Sequence, residues 1–215
     1  MTPAPTIVVV DDHSLVAEAL AMAMRARQIA ASAVVPAEFV EHLDDPAPAA
    51  GLVLLDLDLG PGLDGAALVP RLRSAGWQVL LLTGSLNETR IAVAVAAGAL
   101  GWVSKSTPFE HLVESSIRAA TGGRMIAEGE RVRLLALARI ANATAKQERE
   151  RLGRLTPREK QVVSHIVAGR RAAVIAAEFV VSIATVRTQI RSIFAKLEVG
   201  SQLEVAALAH RWPER

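Results

Sequence analysis

The chain has 215 residues, of which 51% are hydrophobic and only 3% aromatic, enough for one large domain or two modest ones with cores of Ala, Val, Leu and Ile. It has no cysteine, which excludes a disulfide framework and any thiolate metal site. The formal charge of +2 hides an asymmetry: residues 1–122 hold 7 basic and 13 acidic residues, and residues 123–215 hold 17 basic and 9 acidic ones. The basic half is therefore a candidate for nucleic-acid contact.

The N-terminal apolar run TIVVV (6–10) predicts a strand and is cut off by Asp11 and Asp12. That interruption, with no apolar run of about 18 residues elsewhere, predicts a cytoplasmic protein without a signal peptide or membrane span. Residues 15–27 have helical apolar spacing, 29–35 fit a weaker strand, and LVLLDL (52–57) is a second buried run. Residues 67–74 look helical, with Pro70 near the first turn or kinking it. WQVLLLT (77–83) and LGWVSK (100–105) complete five strands, and 87–99 and 109–121 read as helices. Continuous apolar runs alternating with amphipathic helices predict an α/β doubly wound, five-stranded parallel sheet with five helices.

Four capping boxes are expected, at Ser85–Glu88, Thr107–Glu110, Thr156–Glu159 and Ser201–Glu204, with Pro108 and Pro157 at first helical positions. Residues 123–153 are rich in Ala, Arg and Glu and predict a solvated linker helix. From 154 to 215 the pattern is all-α. It comprises a helix over 157–168 stopped by Gly169, one over 174–180, one over 183–197 capped by Ser182, and one over 202–211. The middle pair, with its brief connection, reads as a helix-turn-helix. In the third helix Ile183, Val186, Ile190, Ile193 and Leu197 form the expected buried stripe, leaving Arg187, Thr188, Arg191 and Ser192 on the other side.

In a doubly wound sheet ligands gather at the carboxyl ends of the strands. Asp11, Asp12, Asp56, Thr83 and Lys105 all fall at such ends. A lone Asp there is commonly a turn or cap residue, and a lone Lys is commonly surface; five polar groups at one edge suggest a site. Three carboxylates suit a hard cation such as Mg²⁺. A carboxylate can also take up a phosphoryl group, with a metal, a Lys and a hydroxyl offsetting charge.

IVVVDDHS, LVLLDLDLGPGLDG, VLLLTGS and GWVSKS, in this order and spacing, resemble the signature stretches of a response-regulator receiver domain. The resemblance implies that Asp56 is the phosphoacceptor and that Asp11, Asp12 and Asp56, with the Asp58 carbonyl, bind Mg²⁺. It further implies that Thr83 and Lys105 contact the phosphoryl group and that Trp102 is the aromatic switch residue. Asp58 and Asp64 remain as rival acceptors. Asp58 lies past the end of the apolar run, and Asp64 reads as a turn or cap residue, so Asp56 is preferred. The loop after Asp56 is one residue longer than is usual in that family, and Trp102 stands in place of the commoner Tyr or Phe. The five histidines are scattered without metal-ligand spacing and read as ordinary residues.

Residues 155–209 resemble the LuxR-type DNA-binding domain through Leu155–Glu159, Gly169, Ile175-Ala176, Ser182, Thr185–Thr188, Lys196-Leu197 and Val199. Receiver plus this module is the architecture of the NarL/FixJ response regulators. The domains expected are a receiver (1–122), a helical linker (123–153) and a DNA-binding domain (154–215). Arg187 and Arg191, one turn apart, are the expected base contacts, accompanied by Thr188. Arg170, Arg171 and Lys196 are expected at phosphates, and Ser182 and Thr185 can donate hydroxyls. Gln189 replaces a frequent His. The implied partners are a sensor histidine kinase, double-stranded DNA and a second copy of the chain, with no membrane. The protein is expected not to be an enzyme beyond slow loss of its own phosphoryl group. Two rivals are a regulator independent of phosphorylation, suggested by the altered loop, and a metal-dependent phosphatase with an Asp nucleophile. The absence of a D-x-D arrangement at the first strand and the basic helical tail count against the phosphatase.

Overall fold

A computed structural model describes residues 5–43, 51–84 and 87–209. Five strands, β1 (Thr6–Val10), β2 (Ala30–Val34), β3 (Gly51–Asp56), β4 (Gln78–Thr83) and β5 (Gly101–Ser104), form one sheet. Every pairing is parallel and the order is β2-β1-β3-β4-β5. This is the predicted doubly wound sheet, and the order reverses beside β1 and β3.

Side chains alternate across the sheet with period two. Ile7, Val9, Leu52, Leu54, Leu80 and Leu82 pack with α1 (Ser14–Ala26) and α5 (Phe109–Ala120). Val10, Val53, Leu55, Val79 and Leu81 pack on the other face with α2 (Pro36–Glu41), α3 (Gly65–Ser74) and α4 (Glu88–Ala96). Helix α2 belongs to the expected five but has only six residues, too few for a periodic signal. Pro70 lies beyond the first turn of α3, because the helix starts at Gly65, two residues before the expected 67.

Two expected caps differ. Helix α5 begins after Pro108 with no side-chain cap. The Thr107 amide is already used on Ser104 O at 3.0 Å, and Glu110 is the second helical residue, so a Thr107–Glu110 box cannot close. Helix α4 is capped by Asn87, whose side chain accepts from the Arg90 amide; Ser85 lies outside the described residues.

Helix α6 (Glu128–Gly153) covers most of the residues expected to form a solvated linker, and it is not solvated throughout. Leu134 and Ala138, four residues apart, are each 1% exposed in the core beneath α3 and α4. Arg133 donates to Glu88 of α4 from both terminal guanidinium nitrogens at 3.1 Å. Residues 142–147 are exposed. Compactness divides the chain between Ala141 and Asn142, so the first half of α6 belongs to the sheet unit. Burying Leu134 alone contributes about 2 kcal/mol.

The second unit holds α7 (Pro157–Val167), α8 (Ala172–Phe179), α9 (Ile183–Leu197) and α10 (Gln202–Ala209). Their core is Leu152, Leu155, Val162, Val163, Ile166, Ile175, Val186, Ile190, Ile193, Leu197 and Val205. Thr156 and Glu159 form the expected capping box with Pro157 at the first helical position. Gly169, at φ +69°, ends α7. At α10 the Glu204 amide donates to Ser201 Oγ at 3.2 Å, while the Glu204 carboxylate accepts from the Ser201 hydroxyl at 2.8 Å and from the Gly200 amide at 3.1 Å, in place of the Ser201 amide that a capping box would use. Among the described residues no single helix is long and apolar enough to cross a membrane.

Candidate functional site

The strand ends bring the predicted polar residues together. Asp56 is the last residue of β3 and Thr83 the last of β4, both buried, and Asp11 and Lys105 follow β1 and β5. Lys105 Nζ donates to Asp56 Oδ2 at 2.7 Å. It also lies 2.7 Å from Asp11 Oδ2, out of line for a hydrogen bond, so that buried oxygen is paired by charge alone. Asp56 Oδ1 accepts from the Asp58 amide at 3.2 Å. The Lys105 amide donates to Thr83 O at 2.8 Å, fixing the stem of the lysine against β4.

Burial pushes the Asp56 carboxyl above the ordinary aspartate range; Lys105 and the Asp58 amide pull it back in part, and the Asp11 charge adds to the rise. Burial also works against charge on Lys105, but its contacts with Asp11 and Asp56 outweigh this and hold the ammonium above its usual range.

The residues fit a hard cation. Asp11, Asp12, His13 and Asp56 bring ligand atoms within 4.8 Å of one another, and one buried Asp11 oxygen has no hydrogen-bond partner. His13 was not expected here. Its Nδ1 lies 2.6 Å from Asp12 Oδ1, and its amide donates to Asp11 Oδ1 at 2.8 Å. Adjacency to the Asp pair was the available signal.

The loop after Asp56 is shaped by two residues that sequence reasoning did not assign to the site. A Cβ on Gly65 would lie 1.9 Å from Asp56 O, so only glycine lets α3 start against the end of β3. Arg90 of α4 donates to Leu57 O at 2.6 Å and to Asp64 Oδ1 at 2.8 Å, and it also pairs with Asp58. The Asp58 carboxylate is thus turned to Arg90. Asp64 caps α3 by accepting from the Ala66 amide at 3.1 Å, as its place before Gly65 suggested. Trp102 is half-buried in β5, packed against the core.

In the second unit α8 and α9 cross at 112°, within the helix-turn-helix range. Arg187, Thr188 and Arg191 are exposed on α9, and among the described residues neither arginine has an ion-pair partner. Other expected contacts are already engaged. Ser182 Oγ accepts from the Thr185 amide at 3.0 Å and shares a hydrogen bond with Thr185 Oγ1 at 2.8 Å. Thr188 Oγ1 donates back to Ala184 O at 3.0 Å. Arg170 pairs with Glu178, and Arg171 is the N-terminal flank of α8.

Lys196 donates to Glu159 Oε2 at 2.7 Å. That carboxylate is buried and also accepts from the Thr156 amide, from Thr156 Oγ1 and, on its other oxygen, from Ser192 Oγ. Burial disfavours the Glu159 charge, but these bonds outweigh it, Lys196 foremost, and lower its pKa to about 2. Ser192 therefore faces into the module, not away from it. Gln189 is half-buried, with a side-chain oxygen that has no hydrogen-bond partner.

Ile183 departs from the expected buried stripe: it is 44% exposed and lies outside the module's core. It is the first residue of α9, and a helical side chain leans toward the N-terminus, carrying this one past the end of the packed seam.

Two family models match the chain, one in each unit. Residues 7–116 match the response regulator receiver domain, and residues 153–209 match the luxR family of bacterial regulatory proteins. The chain is a response regulator of the NarL/FixJ group, with a receiver domain and a LuxR-type DNA-binding domain. It is 27% identical over 214 residues to the nitrate/nitrite response regulator protein NarL of Escherichia coli, covering 96% of this chain and 95% of that one. It is 28% identical over 219 residues to the transcriptional regulatory protein FixJ of Bradyrhizobium diazoefficiens, covering 98% and 97%. Among solved structures, response regulator StyR is 26% identical, with 98% and 100% coverage and a TM-score of 0.45.

Proposed function

We propose that Asp56 is the phosphoacceptor of this two-component transcription regulator, and that a sensor histidine kinase supplies the phosphoryl group. The observation that carries this is the buried Asp56 carboxylate, bonded to Lys105 at 2.7 Å within a cluster of acidic ligands. An Asp56 oxygen attacks phosphorus, the bond to the donor imidazole breaks, and an acyl phosphate remains. Lys105 stays on the oxygens that gain charge, and the Thr83 side chain lies at the neighbouring strand end. Asp11, Asp12 and Asp56, with the Asp58 carbonyl, would hold Mg²⁺. Bound there, Mg²⁺ would neutralise charge on the acceptor and on phosphate oxygens. The chain is not otherwise an enzyme; slow hydrolysis of its own acyl phosphate is the only turnover in this reading.

In this reading Trp102 and Thr83 report the phosphoryl group to α4, and the chain dimerises, in the cytoplasm, on paired DNA half-sites. Arg187 and Arg191 meet base edges, with Thr188 beside them. Arg170 and Arg171 contact phosphates, as do the Ser182 and Thr185 hydroxyls through their remaining capacity. Lys196 contributes from its place in the Glu159 network. The test is selection of a random duplex library by the full chain with and without a small-molecule phosphodonor and Mg²⁺. A paired site enriched only with phosphodonor is expected. Equal enrichment in both arms would favour a regulator independent of phosphorylation, the reading that the longer loop after Asp56 suggests.

A further inference from the structure

We propose that Ile183 is a specificity residue that reads a thymine methyl group in the major groove; this rests on the DNA-binding reading of the second unit. Ile183 opens α9 and is 44% exposed, and just before Ser182 in the turn Val181 is 37% and Val180 89% exposed. None of the three belongs to the module's core. Val180 also holds a left-handed backbone at φ 54°, a conformation that opposes β-branched side chains. Three β-branched residues within four positions are thus kept in the open at the turn where polar residues or glycine would serve the fold better.

Charge and position name the occupant. Ile183, Arg187 and Arg191 recur every four residues along one side of α9, at the border of the buried stripe, so the apolar group heads a row of cations without ion-pair partners among the described residues. A recognition helix meets base edges with its N-terminal residues. The apolar feature of that groove is the thymine C5 methyl, and arginine prefers guanine. The Ser182 and Thr185 hydroxyls are bonded to each other, which leaves Ile183 as the group at this end without a competing bond. Four residues of helix rise about 6 Å, so the thymine lies about two base-pair steps from the guanine that Arg187 reads.

The experiment takes the site recovered from the random duplex library with the full, phosphodonor-treated chain and replaces each thymine in turn by deoxyuridine, which removes only the methyl group. At one position, about two steps from a guanine, wild-type affinity falls about three- to tenfold. Ile183→Ala binds the thymine site at that reduced level and loses nothing more on deoxyuridine, while Arg187→Ala weakens both duplexes and keeps the difference between them. Wild-type affinity unchanged by deoxyuridine at every position would overturn the proposal without any variant being made. So would Ile183→Ala retaining the full difference. Recovery of no preferred sequence would instead remove the DNA-binding reading on which the proposal stands.

Discussion

Among the described residues the sheet unit buries two carboxylates, Asp11 and Asp56, and the helical unit buries one, Glu159; Asp56 and Glu159 are treated in opposite ways. Asp56 is 2% exposed and has one lysine and one amide as hydrogen-bond donors, with a second acid nearby; its pKa rises. Glu159 is 6% exposed and accepts four hydrogen bonds, among them one from Lys196; its pKa falls to about 2. Glu159 is fully satisfied and ties the first turn of α7 to α9. Asp56 is left short of partners beside an oxygen of Asp11 that has no hydrogen bond. Burial alone does not set the direction in which an acid's pKa moves; the donors it is given decide that.

The comparison can be broken at several points, beginning with the largest effect. Gly65→Ala forces a Cβ into the carbonyl of Asp56. It should cost more than about 3 kcal/mol in urea unfolding of the sheet unit and reduce phosphorylation of Asp56 with it. Glu159→Gln should cost about 2 kcal/mol in the helical unit, since it leaves the half-buried Lys196 ammonium without its countercharge.

The same network fixes a pH dependence. The folded pKa of Glu159 is about 2, below its ordinary 4.5, so its contribution is complete above about pH 4.5 and is lost as pH falls toward 2. Acid unfolding of the helical unit should show this slope in the wild type and lose it in Glu159→Gln.

Arg90→Ala should cost about 1 kcal/mol, because its carboxylate partners are largely exposed. It should also free the loop between Asp58 and Asp64, seen as faster amide exchange there. The smallest effect belongs to Asp56→Asn: without Mg²⁺ its thermal midpoint should match or exceed that of the wild type, the opposite of the Glu159 result.

Much of this was legible in the sequence because the signals are local. Continuous apolar runs ending in Asp11, Asp56, Thr83 and Lys105 mark both the strands and the sheet edge at which their polar residues meet. The Thr156–Glu159 box and Gly169 mark the bounds of α7. What escaped depends on contacts between distant residues. Arg90 reaches the Asp58–Asp64 loop across 32 positions, and Glu159 meets Lys196 across 37, so spacing rules tuned to one helical turn see neither. The docking of α6 through Leu134 and Ala138 was hidden because the helix is polar over most of its length. Ile183 fits the periodic stripe but sits at the helix end, where periodicity no longer implies a packing neighbour.

The measurement that tests the central claim most directly is the intact mass of the wild type and of Asp56→Asn after incubation with Mg²⁺ and a small-molecule phosphodonor. The account predicts a gain of one phosphoryl group in the wild type and none in the variant. An equal gain in both would mean that another carboxylate, with Asp58 the nearest rival, accepts the group and would contradict the assignment of Asp56.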